Sequence, residues 1–347
     1  MKKIKNNITI VIIFTMLISF IIASKYYGQN HSEAVSAVSV RRVNPIGRTI
    51  GLKLYTNGVL VVGMSEIDGQ DGKKYTPYQN SGIKEGDMIK KIDGEKMENV
   101  EELTKKLNTS EGKEITITYQ RDDAEINTII TPIKSNDNSY MIGLWVRDAG
   151  AGIGTLTYYE QATSRFAALG HGINDVDTEK ILNISNGDLV TSQIISVIKG
   201  QKGKPGEIRG IIDNGEDIGK IKENTDFGVY GTVTNIDYIN NVKKEEIPVA
   251  NRNQIKTGKA KILCQLSNAD PEEYEIEIEK IYKNNSKNNK SMLIKITDKN
   301  LLSITGGIIP GMSGTPIIQD GKFIGAITNV LLNDPTHGYA IFADLMM

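Results

Sequence analysis

The sequence is poor in the residues that build metal centres and disulfide frameworks. Its 347 residues include one cysteine, Cys264, and three histidines, His31, His171 and His337. One cysteine permits no internal disulfide, and the histidines are too scattered to give the spacing of a zinc site. We therefore expect no metal, and no cofactor is required by the chemistry described below.

An excess of charge of one sign is also missing. The formal net charge is -1 at pH 7, and the lysines and acidic residues are interspersed rather than grouped in blocks. A protein that binds nucleic acid usually carries a basic patch or stripe. The sequence therefore argues against a nucleic-acid partner.

An apolar run stands at the amino terminus. Lys2, Lys3 and Lys5 precede a mostly apolar stretch over residues 8–23. Lysines ahead of such a run predict an amino terminus that stays inside and a remainder that is exported. The run is slightly short of the roughly 20 residues of a usual span, and no clear Ala-x-Ala cleavage signal follows it. We expect a retained signal anchor, a transmembrane helix over residues 1–25, and a membrane-anchored or secreted protein.

A polar linker over residues 26–44 leads to a small α+β unit, expected over residues 45–134. Residues 51–62 predict a hairpin with an Asn-Gly turn. Residues 99–107 have the apolar spacing of a helix, and residues 115–119 alternate as a strand does.

The segment 81–97 of this unit contains Gly-Ile-Lys-Glu-Gly-Asp-Met-Ile followed by Ile-Asp-Gly. This pattern resembles the PDZ domains of bacterial proteases. A PDZ domain binds an extended peptide by adding it to a sheet edge. The resemblance implies that Ile50, Gly51 and Leu52 line a peptide groove, for peptide C-termini or for the chain itself. The alternative is a degenerate domain that only packs against its neighbour.

Residues 135–347 lack a long helical period. They contain short alternating segments, such as 261–266 and 275–281, separated by Gly, Asn and Asp turns. That pattern predicts an all-β pair of barrels rather than a parallel sheet. The expected chain is mainly β, with an α+β PDZ domain before a chymotrypsin-like double β-barrel peptidase domain.

Two glycine-flanked motifs carry the candidate chemistry. Ser313 lies in Gly311-Met312-Ser313-Gly314, and His171 lies between two glycines. A serine hydroxyl needs a base whose pKa is near the working pH, and histidine fits best. The amides of Gly311 and Ser313 could both point at the oxyanion of a tetrahedral intermediate. Taken singly, each motif could also be a tight turn.

The order of the two motifs favours one architecture. The α/β-hydrolase elbow needs Gly-x-Ser-x-Gly on a turn from a strand into a helix. Here Thr315 stands two residues after the serine, and residues 317–327 predict two strands joined by an Asp-Gly turn. A histidine that precedes the serine matches the chymotrypsin-like order. An esterase of the elbow type is disfavoured.

Several aspartates could be the third member of a triad. Asp298 is the first choice, because it ends the alternating segment 292–297 and could present its carboxylate at a barrel rim. A strand-ending turn residue is the other interpretation of Asp298. Asp175 and Asp177, close to His171 in sequence, are the fallback.

Four features occur together in this chain: the apolar amino terminus, the PDZ-like unit, the motif Ala168-Leu169-Gly170-His171-Gly172-Ile173, and residues 306–318. The combination resembles the stage IV sporulation protein B family of sporulation signalling serine peptidases. By this resemblance His171 is the base, Ser313 the nucleophile and Asp298 the acid, although Asp298 lies closer to the serine in sequence than the acid of ordinary chymotrypsin-like enzymes does.

The resemblance also implies a biological setting. The enzyme would be exported into the space between forespore and mother cell, cleave itself, and cut a membrane-anchored regulatory protein so that an intramembrane protease activates the sigma-K factor. Two alternatives stay open. One is a non-catalytic PDZ docking protein with a degenerate protease domain, and the other is a paralogue that cuts a different membrane protein at the forespore interface.

Overall fold

The structure, a computed structural model, describes residues 40–242, 245–283 and 289–347. Strands dominate it, and the helices are short. In chain order the strands are β1 (Arg42–Met64), β2 (Ile67–Asp68), β3 (Lys74–Tyr75), β4 (Met88–Ile92), β5 (Glu95–Lys96), β6 (Ile115–Arg121), β7 (Ala124–Ile130), β8 (Ile133–Lys134), β9 (Tyr140–Met141), β10 (Leu144–Glu160), β11 (Arg165–Ala168), β12 (Ile184–Ile198), β13 (Glu207–Thr225), β14 (Gly228–Val233), β15 (Ile247–Pro248), β16 (Gly258–Cys264), β17 (Glu272–Ile281), β18 (Met292–Ile296), β19 (Pro316–Gln319), β20 (Lys322–Val330) and β21 (His337–Phe342). The α-helices are α1 (Val100–Thr109), α2 (Ile236–Val242) and α3 (Lys299–Thr305), and 3₁₀ turns lie at Arg252–Gln254 and Ala343–Leu345.

The first barrel is a closed ring of antiparallel strands in the order β1, β10, β11, β14, β13 and β12, because β12 pairs back with β1. Its interior holds apolar side chains from every side of the ring, including Ile50, Leu156, Phe166, Leu189 and Val229. Closure leaves the ring without an exposed edge in this core.

The second barrel is formed by β16, β17, β18, β21, β20 and β19. The Asp-Gly turn expected within 317–327 is present: β19 and β20 form a hairpin, with Asp320 and Gly321 both at positive φ between them. An apolar cluster joins the two barrels, and in it the rings of Tyr158 and Phe323 meet edge to face, with centroids 5.4 Å apart. The expectation of a mainly β chain with a barrel is confirmed.

Residues 59–142, here called the PDZ-like lobe, have a core of their own. The predicted helix is α1, which Asn99 caps by accepting a hydrogen bond from Glu102 N at 2.8 Å. Leu103 and Leu107 of α1 pack against a small sheet of β4, β6, β7 and the end of β1. The predicted strand at 115–119 is β6, so the α+β character of this lobe is confirmed.

The expected hairpin at 51–62 is wrong. β1 runs without a turn from Arg42 to Met64, and Asn57-Gly58 lies inside it, with Gly58 at a φ of 126°. Here β1 exchanges partners: its pairing with β12 ends at Thr56, and its pairing with β4 begins at Val59. The left-handed conformation that glycine allows serves a change of partner rather than a chain reversal.

The structure also contradicts the expected peptide groove at Ile50, Gly51 and Leu52. These residues pair with β12 on one side and with β10 on the other, so no strand edge is open there. The side chains of Ile50 and Leu52 are buried in the first barrel. A peptide adds to a sheet only where backbone groups are unpaired.

The domain boundaries of the sequence analysis stay predictions. β1 begins at Arg42, within the expected linker over 26–44, and it contributes to both the first barrel and the PDZ-like lobe. The expected signal anchor over 1–25 lies outside the described residues. Within the part that the structure describes, no helix combines the length and apolar character needed to cross a membrane.

Candidate active site

His171 follows a strained segment at the end of β11. Leu169 and Gly170 both have left-handed backbones, with φ of 72° and 71°, and they turn the chain away from the sheet. Such a conformation is costly for leucine, so surrounding contacts must hold it. Leu169 N donates to Thr155 O of β10 at 3.2 Å, and the side chain of Leu169 is buried. His171 itself remains half-buried, at the first barrel's surface.

The imidazole has a defined tautomer. Nδ1 of His171 lies 2.8 Å from the carbonyl oxygen of Gly172. A carbonyl oxygen can only accept, so Nδ1 of a neutral ring carries the hydrogen and Nε2 keeps its lone pair. That is the form in which a histidine can act as a general base.

Ser313 lies in a loop fixed by its own backbone. Met312 N donates to Ile309 O at 3.0 Å, Thr315 N donates to Met312 O at 3.0 Å, and Gly314 N donates to Ile327 O of β20 at 2.7 Å. Gly311 is at a φ of 100°, a conformation that only glycine adopts easily. The hydroxyl of Ser313 donates to Thr328 O at 2.9 Å. The serine is thus held at the surface of the second barrel.

The amides of Gly311 and Ser313 differ from their neighbours. Neither has an acceptor among the residues that the structure describes, whereas the amides of Met312, Gly314 and Thr315 are all used. Two amides without an acceptor in the described residues, on a serine and on the glycine two residues before it, are the donors that an oxyanion hole would need. This is the arrangement expected from the glycine pattern.

His171 and Ser313 line the same cleft between the two barrels. Its volume is about 820 Å³. The first barrel contributes residues 149–154, Leu169 and His171, and the second barrel contributes residues 308–311, Ser313 and residues 328–330. Thr155 Oγ1 also donates to Gly311 O at 2.9 Å, across the junction. The structure therefore brings together the predicted base, nucleophile and oxyanion donors.

Gly314 explains how closely the two segments approach. A Cβ at this position would lie 2.5 Å from Leu169 N and 2.7 Å from Thr155 O. Only a glycine lets the serine loop rest directly on the backbone that leads to His171. In the described residues the serine hydroxyl is bonded to Thr328 O rather than to the imidazole. Catalytic hydrogen bonds are often loose without substrate and tighten in the complex.

Asp298 is not brought to this cleft. It is the N-cap of α3, and its carboxylate accepts from Leu301 N at 2.9 Å and from Glu275 N at 3.4 Å. The residues that line the cleft do not include it. The structure supports the strand-ending interpretation of Asp298, since an N-cap satisfies helix amides that have no other partner.

The fallback acids Asp175 and Asp177 follow His171 in the same loop, Asp175 lines the same cleft, and both carboxylates are engaged. Arg147 Nη1 lies 2.6 Å from Asp175 Oδ2, and its Nη2 lies 2.7 Å from Asp177 Oδ2. Burial alone would raise the pKa of Asp175, but the amides of Thr178 and Asp177 and the Arg147 guanidinium hold it below its ordinary value. Asp175 is therefore a charged residue of the loop after His171.

Sequence reasoning missed the group that holds the loop after His171. Asn224 accepts from Ile173 N and donates to Ile173 O, both at 2.8 Å, and it donates to Leu182 O at 2.9 Å. It clamps both ends of the loop that follows His171. Nothing in the sequence around Asn224 marks this function, because the partners are backbone groups from distant segments.

The comparisons with known proteins agree with this geometry. A family model described as SpoIVB peptidase S55 matches residues 138–347, which is more than half of the chain. The chain belongs to the SpoIVB peptidase S55 family. It is a serine peptidase, and the family relation of the sequence analysis is confirmed. A model of the PDZ domain matches residues 40–131.

No curated protein matches the chain. Among solved structures, the PDZ domain of the SdrC-like protein from Listeria monocytogenes is similar at 21% identity, covering 26% of this chain and 87% of that one, with a TM-score of 0.21. A likeness at that score adds nothing to the argument. The family assignment therefore depends on the family models and the site.

Proposed function

We propose that this S55 peptidase is an exported serine endopeptidase of sporulation signalling, built on a chymotrypsin-like pair of barrels. It cleaves itself and cuts a membrane-anchored regulatory protein, so that an intramembrane protease activates the sigma-K factor. Residues 1–25 anchor it to the membrane that faces its substrate. The observation that supports the catalytic part is one cleft that holds the Ser313 hydroxyl, His171 Nε2 and the amides of Gly311 and Ser313, where Nε2 and both amides have no partner among the described residues.

The proposed chemistry is acyl transfer. The Ser313 hydroxyl turns from Thr328 O toward His171 Nε2, gives up its proton and attacks the peptide carbonyl carbon. The amides of Gly311 and Ser313 stabilise the negative charge that develops on the carbonyl oxygen. The imidazolium then protonates the leaving amine. In the second half of the cycle the imidazole takes a proton from water, the water attacks the acyl carbon, and the proton passes to the Ser313 oxygen as the acid product leaves. The carbonyl of Gly172 holds Nδ1–H throughout.

Labelling with a fluorophosphonate, which reacts much faster with an activated serine than with other hydroxyl groups, tests the proposal. We expect the wild type to be labelled at Ser313 and to shorten itself on a gel. Ser313→Ala should lose both, with at least about a 10³-fold drop in cleavage and unchanged unfolding. Ser303→Ala is the matched control, because Ser303 is an exposed serine of α3 whose hydroxyl donates to Asn300 O.

The same experiment decides between an enzyme and a docking protein. A non-catalytic docking protein would give no label and no shortening in any of the three proteins. Cleavage of the target protein by Ser313→Ala at the wild-type rate would exclude Ser313 as the nucleophile.

A further inference from the structure

The end of the cleft beside Ser313 lies between two uncharged walls. One wall is the segment 308–311, Ile-Ile-Pro-Gly, and the other is the segment 328–330, Thr-Asn-Val, at the end of β20. Among the described residues that line the cleft, Arg147 and Asp175 are charged, and they form an ion pair with each other. A substrate side chain between the two walls therefore meets no opposite charge.

The catalytic groups locate the substrate residue whose carbonyl is attacked, P1. Its carbonyl carbon must meet Ser313 Oγ while its carbonyl oxygen accepts from the amides of Gly311 and Ser313. Thr328 O takes the serine hydroxyl at 2.9 Å in the free protein. This oxygen is released when the hydroxyl turns to the imidazole, and it can then accept the P1 amide. The P1 side chain thus enters the space between 308–310 and 328–330.

The side chain of Ile308 closes this space. A Cβ on Gly338 of β21 would lie 2.5 Å from Ile308 Cδ1 and 2.4 Å from Asn329 O. Gly338 pairs with Val330, the last residue of the opposite wall. Ile308 therefore reaches from its own segment to the strand behind the other wall. It is only 3% exposed, and its exposed part faces the cleft.

The backbone that carries Ile308 leaves no further room. Ile308 N donates to Pro335 O at 2.7 Å, and a Cβ on Gly307 would lie 2.1 Å from the same oxygen. The next side chain, Ile309, points toward the connection before β13, because its Cγ2 would lie 2.8 Å from a Cβ on Gly206. The depth of the space is thus set by Ile308 rather than by Ile309.

We propose that Ile308 is the floor of the P1 pocket and that this peptidase cuts after small apolar residues such as alanine and valine. A long or aromatic P1 side chain would have to displace a side chain of the second-barrel core. A charged P1 side chain would lose its water without gaining a partner. This specificity rests on the proposed peptidase function and deepens it.

The preference is measured on the full chain with fluorogenic peptides acetyl-Gln-Gln-Gln-X-aminocoumarin, whose glutamines are too long for the proposed pocket. We expect kcat/KM with alanine or valine at X to exceed that with phenylalanine, lysine or glutamate by about 100-fold. Ile308→Ala removes the floor, and it should bring phenylalanine to within about threefold of alanine. Lysine and glutamate should stay disfavoured, because the substitution adds no charge.

Ile294→Ala is the matched control. Ile294 is an isoleucine of β18, buried in the same core, and it is not among the residues that line the cleft. Both variants lose the same atoms from the core, but only Ile308→Ala should change the ratio between phenylalanine and alanine. Should Ile308→Ala not fold, Ile308→Val is compared with Ile294→Val, and leucine at X should gain about tenfold over alanine only in Ile308→Val.

Three results of the cleavage assay would overturn the proposal. The first is a wild type that cuts after phenylalanine, lysine or glutamate as fast as after alanine. The second is an unchanged ratio in Ile308→Ala, or in Ile308→Val where that variant replaces it. The third is an equal change of the ratio in the Ile294 control.

A binding experiment separates the pocket from the peptidase function. Ser313→Ala protein is titrated with amidated peptides acetyl-Gln-Gln-Gln-X-Gln-Gln-NH2, which have no free carboxylate that a PDZ groove could capture. Valine at X should bind about tenfold more tightly than phenylalanine, and Ile308→Ala in the same background should remove this difference. Equal binding of the two peptides to Ser313→Ala would overturn the pocket.

The two proposals can therefore fail separately. Wild-type protein that cleaves none of the peptides, with the binding difference intact, would refute the proposed function and support the pocket. Wild-type protein that cleaves every peptide at the same rate would support the peptidase function and refute the pocket.

Discussion

The serine loop and the histidine segment meet in one cleft but are held by different forces. Ile309 and Met312 beside Ser313 are buried in the core of the second barrel, and main-chain hydrogen bonds fix the loop between them. The loop after His171 packs Ile173 and Leu182 on the core of the first barrel, and polar contacts from Asn224 and the ion pairs of Arg147 hold it in addition. Ser313 and the amides beside it are therefore set by packing and main-chain bonds, while the segment of His171 depends in addition on a charged and partly exposed clamp.

The largest expected effect comes from a substitution at the contact between the serine loop and the histidine segment. Gly314→Ala puts a methyl group against Leu169 N and Thr155 O, and it also strains a backbone at a φ of 91°. We expect a loss of about 3 kcal/mol in the free energy of unfolding and at least a 100-fold loss of cleavage. Urea unfolding and a peptide cleavage assay measure the two effects.

Gly321→Ala is the matched control for this change. Gly321 has a similar φ of 70°, but a Cβ there would have no heavy atom within 4 Å. It should cost only about 1 kcal/mol and leave cleavage unchanged. If the two variants lose equal stability, backbone strain and not the contact with Leu169 makes glycine necessary at Gly314.

The second largest effect on stability and cleavage is expected at the ion pairs of Arg147 in the loop after His171. Asp175→Asn leaves the Arg147 guanidinium facing an amide, and it should lower stability near pH 7 by about 2 kcal/mol and cleavage by about tenfold. Asp177→Asn, at the exposed partner of the same arginine, should change stability by less than about 0.5 kcal/mol. The side chain of Asp175 is 2% exposed against 43% for Asp177, which is why the two differ.

The pH dependence of this effect follows from the lowered pKa of Asp175. A carboxyl group whose pKa is lower in the folded state makes its full contribution to the free energy of unfolding above its unfolded pKa of about 3.9. That contribution is lost as the pH falls through the folded pKa. The difference in stability between wild type and Asp175→Asn should thus be constant from pH 7 to about pH 5. It should shrink as the pH falls below about 4. A difference that stays constant down to pH 2 would show that the charge of Asp175 is not what matters.

The same contrast explains what could be predicted from the sequence. The serine and histidine motifs were readable because close backbone approach requires glycine at fixed positions, such as Gly311 and Gly314. The strand pattern of the second barrel was readable from its alternation, and α1 from its period. Each of these features depends on residues that are close to one another in the sequence, so the sequence pattern alone predicts it.

Features that depend on distant partners were misread. Asn57-Gly58 fits a hairpin turn and a bulge equally well, and only the passage of β1 from the first barrel into the PDZ-like lobe decides between them. The resemblance to PDZ domains implied a peptide groove at Ile50 to Leu52, but β10 and β12 cover both sides of this segment. The clamp at Asn224 left no signal in the sequence, since its partners are main-chain groups.

Asp298 gives the smallest expected effect and the sharpest test of the acid. Serine is as good an N-cap as aspartate but cannot hold an imidazolium as an acid does. If Asp298 only caps α3, Asp298→Ser should change stability by less than about 0.5 kcal/mol and cleavage by less than about threefold, while Asp298→Ala costs about 1 kcal/mol. A stable Asp298→Ser that loses about 10³-fold or more in kcat would instead make Asp298 the acid of a triad that assembles only with substrate. In that case the Asp298 carboxylate of the second barrel would hold the His171 ring in the substrate complex. Both segments would then depend on the second barrel during catalysis, and the difference between them would be confined to the free enzyme.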